Sequence, residues 1–249
     1  MTFRACIRAG TLTAALEPVY ALVEECKLNV NPDGLAVCAV DPANVAMVNI
    51  ELPADACEEY HANGGVLGIN LERLLDVLSM GVSDDDIAML ELDPETRKLH
   101  IDIEGLSYTL ALIDPESIRQ EPDIPDLDLP GTYVVEGREL ARAVRAADLC
   151  SDHISLRALS DGEMAFHADG DTDNVNISVS GDRLLSGHFG DDEAAESMLS
   201  LDYLQDVTRP IDTDTAVSIL LGEAFPVKLR YSIDDTDVIN MIAPRISSE

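Results

Sequence analysis

"LERLLDV", Leu71–Val77, returns 130 positions later as "LDYLQDV", Leu201–Val207, with L-x-x-L-x-D-V intact. In the first copy Leu71, Leu74, Leu75 and Leu78 fall at i, i+3, i+4 and i+7; Leu201, Leu204 and Val207 repeat the stripe. Both read as amphipathic helices that lay one apolar face on a sheet. Other segments correspond in the same order. "NPDGLAVCAV" (Asn31–Val40) answers "LSDGEMAFHA" (Leu159–Ala168), each with an Asp-Gly turn inside a hairpin pattern. "NVAMVNIEL" from Asn44 answers "NVNISVSG" from Asn174. "GTLTAALEPVYALVEEC" (Gly10–Cys26) and "GRELARAVRAADLC" (Gly137–Cys150) read as opening helices after strands at 2–8 and 132–136. Each half reads strand, helix, hairpin, strand, helix, then further strands. Such ordered self-similarity indicates an internal duplication of an α+β unit.

The expected division is therefore a first domain at 1–116, a connecting loop at 117–131 and a second domain at 132–249. The stretch "DPESIRQEPDIPDLDLPG" holds Pro115, Pro122, Pro125 and Pro130 and no helical period, which favours extended backbone. It also carries Ile118, Ile124, Leu127 and Leu129 among its acids. Such a segment either lies along the protein surface or receives a partner.

The 249 residues include 46% hydrophobic ones, enough for well-filled cores, but aromatics are only 4%, so the cores must be aliphatic. No apolar run reaches the roughly 20 residues of a membrane span, and "MTFRACIRAG" lacks the apolar stretch of a signal peptide. These features predict a cytoplasmic protein without a membrane partner. Cys6, Cys26, Cys38, Cys57 and Cys150 are odd in number and form no C-x-x-C, and are read as small core residues. The charge is extreme: 48 acidic against 16 basic residues give −32, with only Lys27, Lys98 and Lys228 as lysines. Regular hydrophobic patterning argues against disorder. A folded core in an acidic, lysine-poor shell is the signature of adaptation to molar salt, where a Debye length of about 3 Å screens the self-repulsion.

No motif carries chemistry. Asp169, Asp171 and Asp173 begin like a calcium loop, but Asn174 stands where glycine is needed and Ser180 where glutamate is needed. Asp84–Asp86 reads as a solvated acidic turn. His61, His100, His153, His167 and His188 have no ligand spacing, "GGVLGIN" has the wrong glycine spacing for a dinucleotide turn, and no nucleophile elbow exists. The expectation is a non-enzyme without a cofactor, bound Na⁺ or K⁺ at acidic residues apart. One constellation stands out: Arg138, Arg142 and Arg145 recur at i, i+4 and i+7, opposite an apolar face of Leu140, Ala143, Val144 and Ala147. Surface ion pairs, with Glu139 for instance, would explain it. So would a stripe facing nucleic-acid phosphates, to which Arg73 and Arg209 on the repeated helices would add. The corresponding first-half helix has no basic residue.

These residues resemble a family. The two-fold repeat, the acidic apolar linker, "AVDPANVAMVNIEL" (Ala39–Leu52), "GINLERLLDVL" (Gly68–Leu78), "RELARAVRAADL" (Arg138–Leu149) and Ala243-Pro244-Arg245-Ile246 look like the sliding clamp proliferating cell nuclear antigen (PCNA) in an archaeal, haloarchaeal form. The resemblance implies duplicated clamp domains with antiparallel sheets outside and helices lining a closed ring around duplex DNA. It implies a homotrimer acting as processivity factor and docking platform for DNA polymerases, clamp loader, flap endonuclease and DNA ligase, near the nucleoid. Subunit contacts would come from "LSYTLALI" (Leu106–Ile113), with Tyr108, Leu110 and Leu112, against "NVNISVSG", with Ile177 and Val179. The groove for partner peptides would use Val40, Val45, Ile124, Pro226, Met241, Ile242, Ala243, Pro244 and Ile246. Where the family is usually basic toward DNA, Ala14, Asp76 and Asp202 stand here, and Pro18 lies inside the first inner helix. Other readings are a subunit of a heterotrimeric clamp, an acidic DNA mimic, and a carboxylate-metal enzyme.

Overall fold

The structure, a computed structural model, describes residues 1–125, 127–159, 162–190 and 195–245, and for Phe189 the backbone alone. The first half runs β1 (Phe3–Arg8), α1 (Ala9–Tyr20), β2 (Glu25–Asn31), β3 (Gly34–Val40), β4 (Ala46–Pro53), β5 (Glu59–Ala62), β6 (Gly65–Asn70), α2 (Leu71–Leu78), β7 (Ile87–Asp93), β8 (Lys98–Ile103) and β9 (Leu106–Ala111). The second repeats the order: β10 (Gly131–Glu136), α3 (Gly137–Ala147), β11 (His153–Ala158), β12 (Met164–Asp169), β13 (Asn174–Val179), β14 (Leu184–Phe189), β15 (Ala195–Ser200), α4 (Leu201–Thr208), β16 (Ala216–Leu221), β17 (Val227–Ile233) and β18 (Thr236–Ile242). Three strands rather than one separate hairpin from second helix in each half.

Two compact units result. One comprises Met1–Pro42, Val48–Pro122 and Ile233–Val238; the other comprises Ala43–Met47, Asp123–Ser232 and Ile239–Glu249. The linker thus divides at Pro122. In the first unit one sheet has the order β5-β1-β7-β8-β9 and another the order β4-β3-β2-β6. In the second, β14-β10-β16-β17-β18 and β13-β12-β11-β15 repeat those orders strand for strand. β1 pairs antiparallel with β7, Arg4 opposite Glu91, and β10 pairs likewise with β16, Thr132 opposite Leu220. Each unit packs its two helices on one another, α1 against α2 and α3 against α4.

The aliphatic cores follow the two periodicities. Along β1 the pattern is buried at Phe3, Ala5 and Ile7; along β11 it is nearly continuous, with Ile154, Ser155 and Leu156 all covered. On α2 the buried stripe is Leu71, Leu74, Val77 and Leu78. Leu75, expected inside, is only half-buried, because the helix starts at Leu71 and its packed face is centred on Leu74 and Val77–Leu78. Leu201, Leu204 and Val207 of α4 are all buried, as expected.

One expectation about helix ends fails for a physical reason. The helix read over Gly10–Cys26 stops at Tyr20, and Glu25–Asn31 is a strand with Cys26, Leu28 and Val30 turned inward. Pro18 lies within the last turn of α1 and is itself buried; it offers no N–H to the Ala14 carbonyl one turn back, and the helix ends two residues later. The paired starts of α2 and α4 also differ. Asn70 accepts a hydrogen bond from the Arg73 N–H at 2.9 Å, whereas Ser200 makes no side-chain cap bond. Asn70→Ala is therefore expected to destabilise the chain by about 1 kcal/mol and Ser200→Ala by much less, measured by chemical denaturation at fixed salt.

Close approaches explain two glycines. A Cβ on Gly68 would lie 2.3 Å from the Ile113 carbonyl oxygen, and one on Gly137 would lie 2.2 Å from that of Asp212. Gly68 lets the chain beyond β9 bridge to β6 through the Ile113 N–H and the Gly68 carbonyl at 2.9 Å. Of the cysteines only Cys26 is buried; the other four are half-buried, a correction to the core assignment. Burial, with Glu121 nearby, pushes the Cys26 thiol up to about 12 and the Cys38 thiol up to about 11. With so little thiolate at pH 8, Cys26 is expected to stay unalkylated by iodoacetamide in the folded chain and to react on denaturation, as read by peptide mass spectrometry.

Candidate helix faces, sheet edges and docking groove

The arginine stripe is built on α3. Leu140, Ala143, Val144 and Ala147 bury the opposite face, and Glu139 is buried among them at 6% exposure. Arg138, Arg142 and Arg145 are exposed. Their charges are not equally available. Arg138 meets Glu136 at 2.7 Å and Asp214 at 2.6 Å, placed by the backbone bonds of Gly137 and Arg138 to the 213–215 turn. Arg142 meets Glu139 at 3.7 Å, and Arg209, just past α4, meets Asp206 at 2.7 Å. Arg73 and Arg145 have no ion pair within 4.0 Å among the described residues. Arg138, Arg142 and Arg209 thus follow the ion-pair reading. Asp76 and Asp202 are exposed on α2 and α4, so the helix faces are of mixed sign.

β9 in the first unit and β13 in the second are each a six-residue strand at the end of a sheet. Tyr108 is 37% exposed, and Ser107, Thr109 and Ala111 are exposed with it. Leu110 at 1%, Ile177 at 8% and Val179 at 0% are core residues of their own units. The period of two sends them inward and leaves Asn174, Asn176 and Ser178 outside. Leu112 is half-buried beyond the end of β9.

The groove residues also sort by burial. In the second unit Val45, Pro226, Ala243 and Pro244 are half-buried and Ile124 is 42% exposed. The Ala243 N–H donates to the Val45 carbonyl at 2.8 Å, and the Arg245 N–H to that of Met198 at 2.7 Å. Met241 and Ile242 are buried beneath the surface, so they can support a groove but not line it. Ile246 lies outside the described residues. Phe225, missed in the sequence, is 49% exposed beside Pro226, over Gly222. Its signal was an aromatic before proline in a turn. Val40 is half-buried in the first unit.

Elsewhere the acids are partly structural. Asp86 accepts from the Val82 and Ser83 N–H groups at 2.6 and 2.9 Å, so it closes a turn rather than only facing water. Asp169 is 2.8 Å from His167 Nε2. Among the described residues no group of three or more His, Cys, Asp and Glu is arranged to hold a metal ion, and no helix is long and apolar enough to cross a membrane.

The N-terminal domain profile of proliferating cell nuclear antigen matches residues 3–107, and the C-terminal domain profile matches residues 123–246. The chain belongs to the PCNA family. The DNA polymerase sliding clamp of Halobacterium salinarum is 50% identical over 250 residues, covering 99% of each chain. Among solved structures, A. fulgidus PCNA with the C-terminal region of FEN-1 bound is 32% identical, with a TM-score of 0.91 over 99% of this chain and 100% of that one. A PCNA2–PCNA3 complex from Sulfolobus tokodaii is 25% identical, with a TM-score of 0.83 over 97% of this chain and 99% of that one. Within this PCNA, the duplicated clamp fold read from the sequence is the one observed, each half carrying its pair of helices.

Proposed function

We infer that this PCNA is a DNA sliding clamp: a subunit of a homotrimeric ring that encircles duplex DNA, holds DNA polymerase to its template and does no chemistry itself. The carrying observation is a full-length likeness to haloarchaeal DNA polymerase sliding clamps, joined to a fold that writes its helix pair twice. Repetition suits a ring whose domains must each offer an equivalent inner face to a roughly cylindrical ligand. Edges β9 and β13 are the joining surfaces in this reading, and the Val45–Ile124–Phe225–Pro226–Ala243–Pro244 surface of the second unit takes short peptides of polymerases, clamp loader, flap endonuclease and ligase. The C-terminal region of FEN-1 on the A. fulgidus relative supports that docking mode. In this reading the protein works in the cytoplasm, at the nucleoid.

Electrostatic affinity for DNA is a poor basis for such a protein. Each phosphate contact loses strength steeply with salt, and only Arg73 and Arg145 of the five candidate arginines lack an ion-paired acid among the described residues. Retention must be topological, with Na⁺ or K⁺ between phosphates and residues such as Asp76 and Asp202. After loading by the cognate clamp loader onto nicked circular DNA in about 2 M KCl, where exposed charges are screened, the chain is expected to co-elute with DNA. Linearising the circle should release it. Arg142→Ala with Arg145→Ala should change retention on circles by less than about twofold. Equal retention on linear and circular DNA would replace topology with affinity, and no retention on circles would remove the clamp reading. The PCNA2–PCNA3 relative favours one second reading, a heterotrimer subunit, which assembly of this chain alone would exclude.

A further inference from the structure

The first unit holds a cleft of about 300 Å³ beside the end of β9. Its walls meet at Gly68, where the chain beyond β9 joins β6 through the Ile113 N–H and the Gly68 carbonyl at 2.9 Å. Val66 and Leu67 of β6, Leu92 near the end of β7, Pro94, Leu112 and Ile113 make the lining apolar. The Met1 thioether, lying against Gly65, adds a wall that can shift. One charged side chain joins them, Arg97. It is exposed and has no ion pair within 4.0 Å among the described residues. Asp93, in the same turn, does not answer it. Its carboxylate accepts from the Thr96 hydroxyl at 2.6 Å and from the Glu95 and Thr96 N–H groups at 2.9 and 3.3 Å. An open guanidinium beside an apolar hollow is exceptional in a chain of charge −32.

We propose that this cleft is a binding site for a small apolar molecule carrying one carboxylate, of which a medium-chain monocarboxylic acid is the simplest case. Small-molecule sites combine mostly apolar walls with a few polar groups that set orientation, and this volume is at their lower end. The ligand's apolar body would displace water from the hollow. Its carboxylate would meet the planar fork of Arg97, which suits two parallel hydrogen bonds. A neutral molecule of the same length gains only the apolar part of this match. An amine is repelled by the guanidinium, so the site selects a sign opposite to the one most of the acidic surface would attract. Neither ring closure nor peptide docking calls for such a cleft, so the proposal stands apart from the clamp reading.

The test titrates octanoate, octanamide and octylammonium into the full chain in about 2 M KCl, where charges without direct contact are screened. Binding is read from the methyl NMR shifts of Val66, Leu67, Leu92 and Leu112. Octanoate is expected to bind with a Kd of about 1 mM, octanamide about fivefold more weakly and octylammonium more weakly still. Arg97 has a φ of 53°, which glycine adopts without strain, so Arg97→Gly should leave the melting temperature no lower. It should weaken octanoate about fivefold and leave octanamide unchanged, a split that a general loss of structure would not produce. Val66→Phe, which fills the hollow, should weaken all three. Absence of octanoate shifts at these methyls, equal affinity for octanoate and octanamide, or undiminished octanoate affinity in Arg97→Gly would overturn the site. So would binding by a Tyr108→Glu monomer but not by the wild-type assembly, since a second copy on β9 would then fill the cleft.

Discussion

Tyr108→Glu is expected to turn an assembly of about three times the 26.9 kDa chain mass into a monomer, read by light scattering after size exclusion in about 2 M KCl, where screening is nearly complete. The reasoning starts from the sheet edges. β9 and β13 each end a sheet and each offer six residues of backbone. A strand edge of that length invites pairing with any chain that presents a matching one. Tyr108 lies on β9 with its ring partly in water, on the same face as buried Leu110. In a paired edge that ring would become covered, and a carboxylate in its place would be buried without a partner. The monomer itself should not suffer, since an exposed position tolerates such a change within about 0.5 kcal/mol. A wild-type circular-dichroism spectrum and melting temperature would therefore accompany the loss of mass. Persistence of the trimer would move the joint away from β9, and a wild-type chain that is monomeric at every salt concentration would favour the heterotrimer.

The sequence made the duplication legible because helix and strand periods survive in both copies. Leu201, Leu204 and Val207 go where their spacing sends them, and the Asp33-Gly34 hairpin forms between β2 and β3. The second copy's Asp161 lies outside the described residues. What was lost were features without a period. β5 is four residues, "EYHA", none of them buried, and it exists because β1 offers it an edge with Phe3↔Ala62 and Cys6↔Glu59 in register. The end of α1 was hidden by "ALVEEC", which continues an apolar helical pattern although the chain turns at Ala21–Glu24.

The candidate surfaces divide in the same way. The arginine stripe and its pairing with Glu139 were visible in the spacing of Glu139, Arg138, Arg142 and Arg145, but the acid that answers Arg138 across the fold was not. Asp214 reaches Arg138 only because the 212–215 turn bonds to the start of α3. A family resemblance named Leu110, Ile177 and Val179 by position along a strand, yet which face each takes is a matter of register, and a shift of one residue reverses it. Phe225 was missed because an aromatic in a turn has no pattern of its own.

The other large expected effect is of salt on the fold itself. A formal charge of −32 is spread over 249 residues, and the Debye length grows from about 3 Å at 1 M to about 10 Å at 0.1 M salt. Below that range carboxylates that ignore one another in brine begin to interact across the surface. One dense group of acids lies in the second unit, where Asp148, Asp152, Asp169, Asp171 and Asp173 line one polar cleft of about 550 Å³. All five are exposed, so removing their charge costs little when salt is high. The melting temperature is expected to fall by more than about 10 °C between 3 M and 0.2 M KCl, a loss of several kcal/mol for a chain of this size. Asp171→Asn with Asp173→Asn should recover part of that loss at 0.2 M and change nothing at 3 M. Tetramethylammonium chloride separates the two physical causes. It screens like KCl at equal ionic strength, but its cation cannot enter a carboxylate's coordination sphere. Equal protection by both salts would make screening the whole effect, whereas protection by KCl alone would mean that inorganic cations bind among the acids and are part of the folded state.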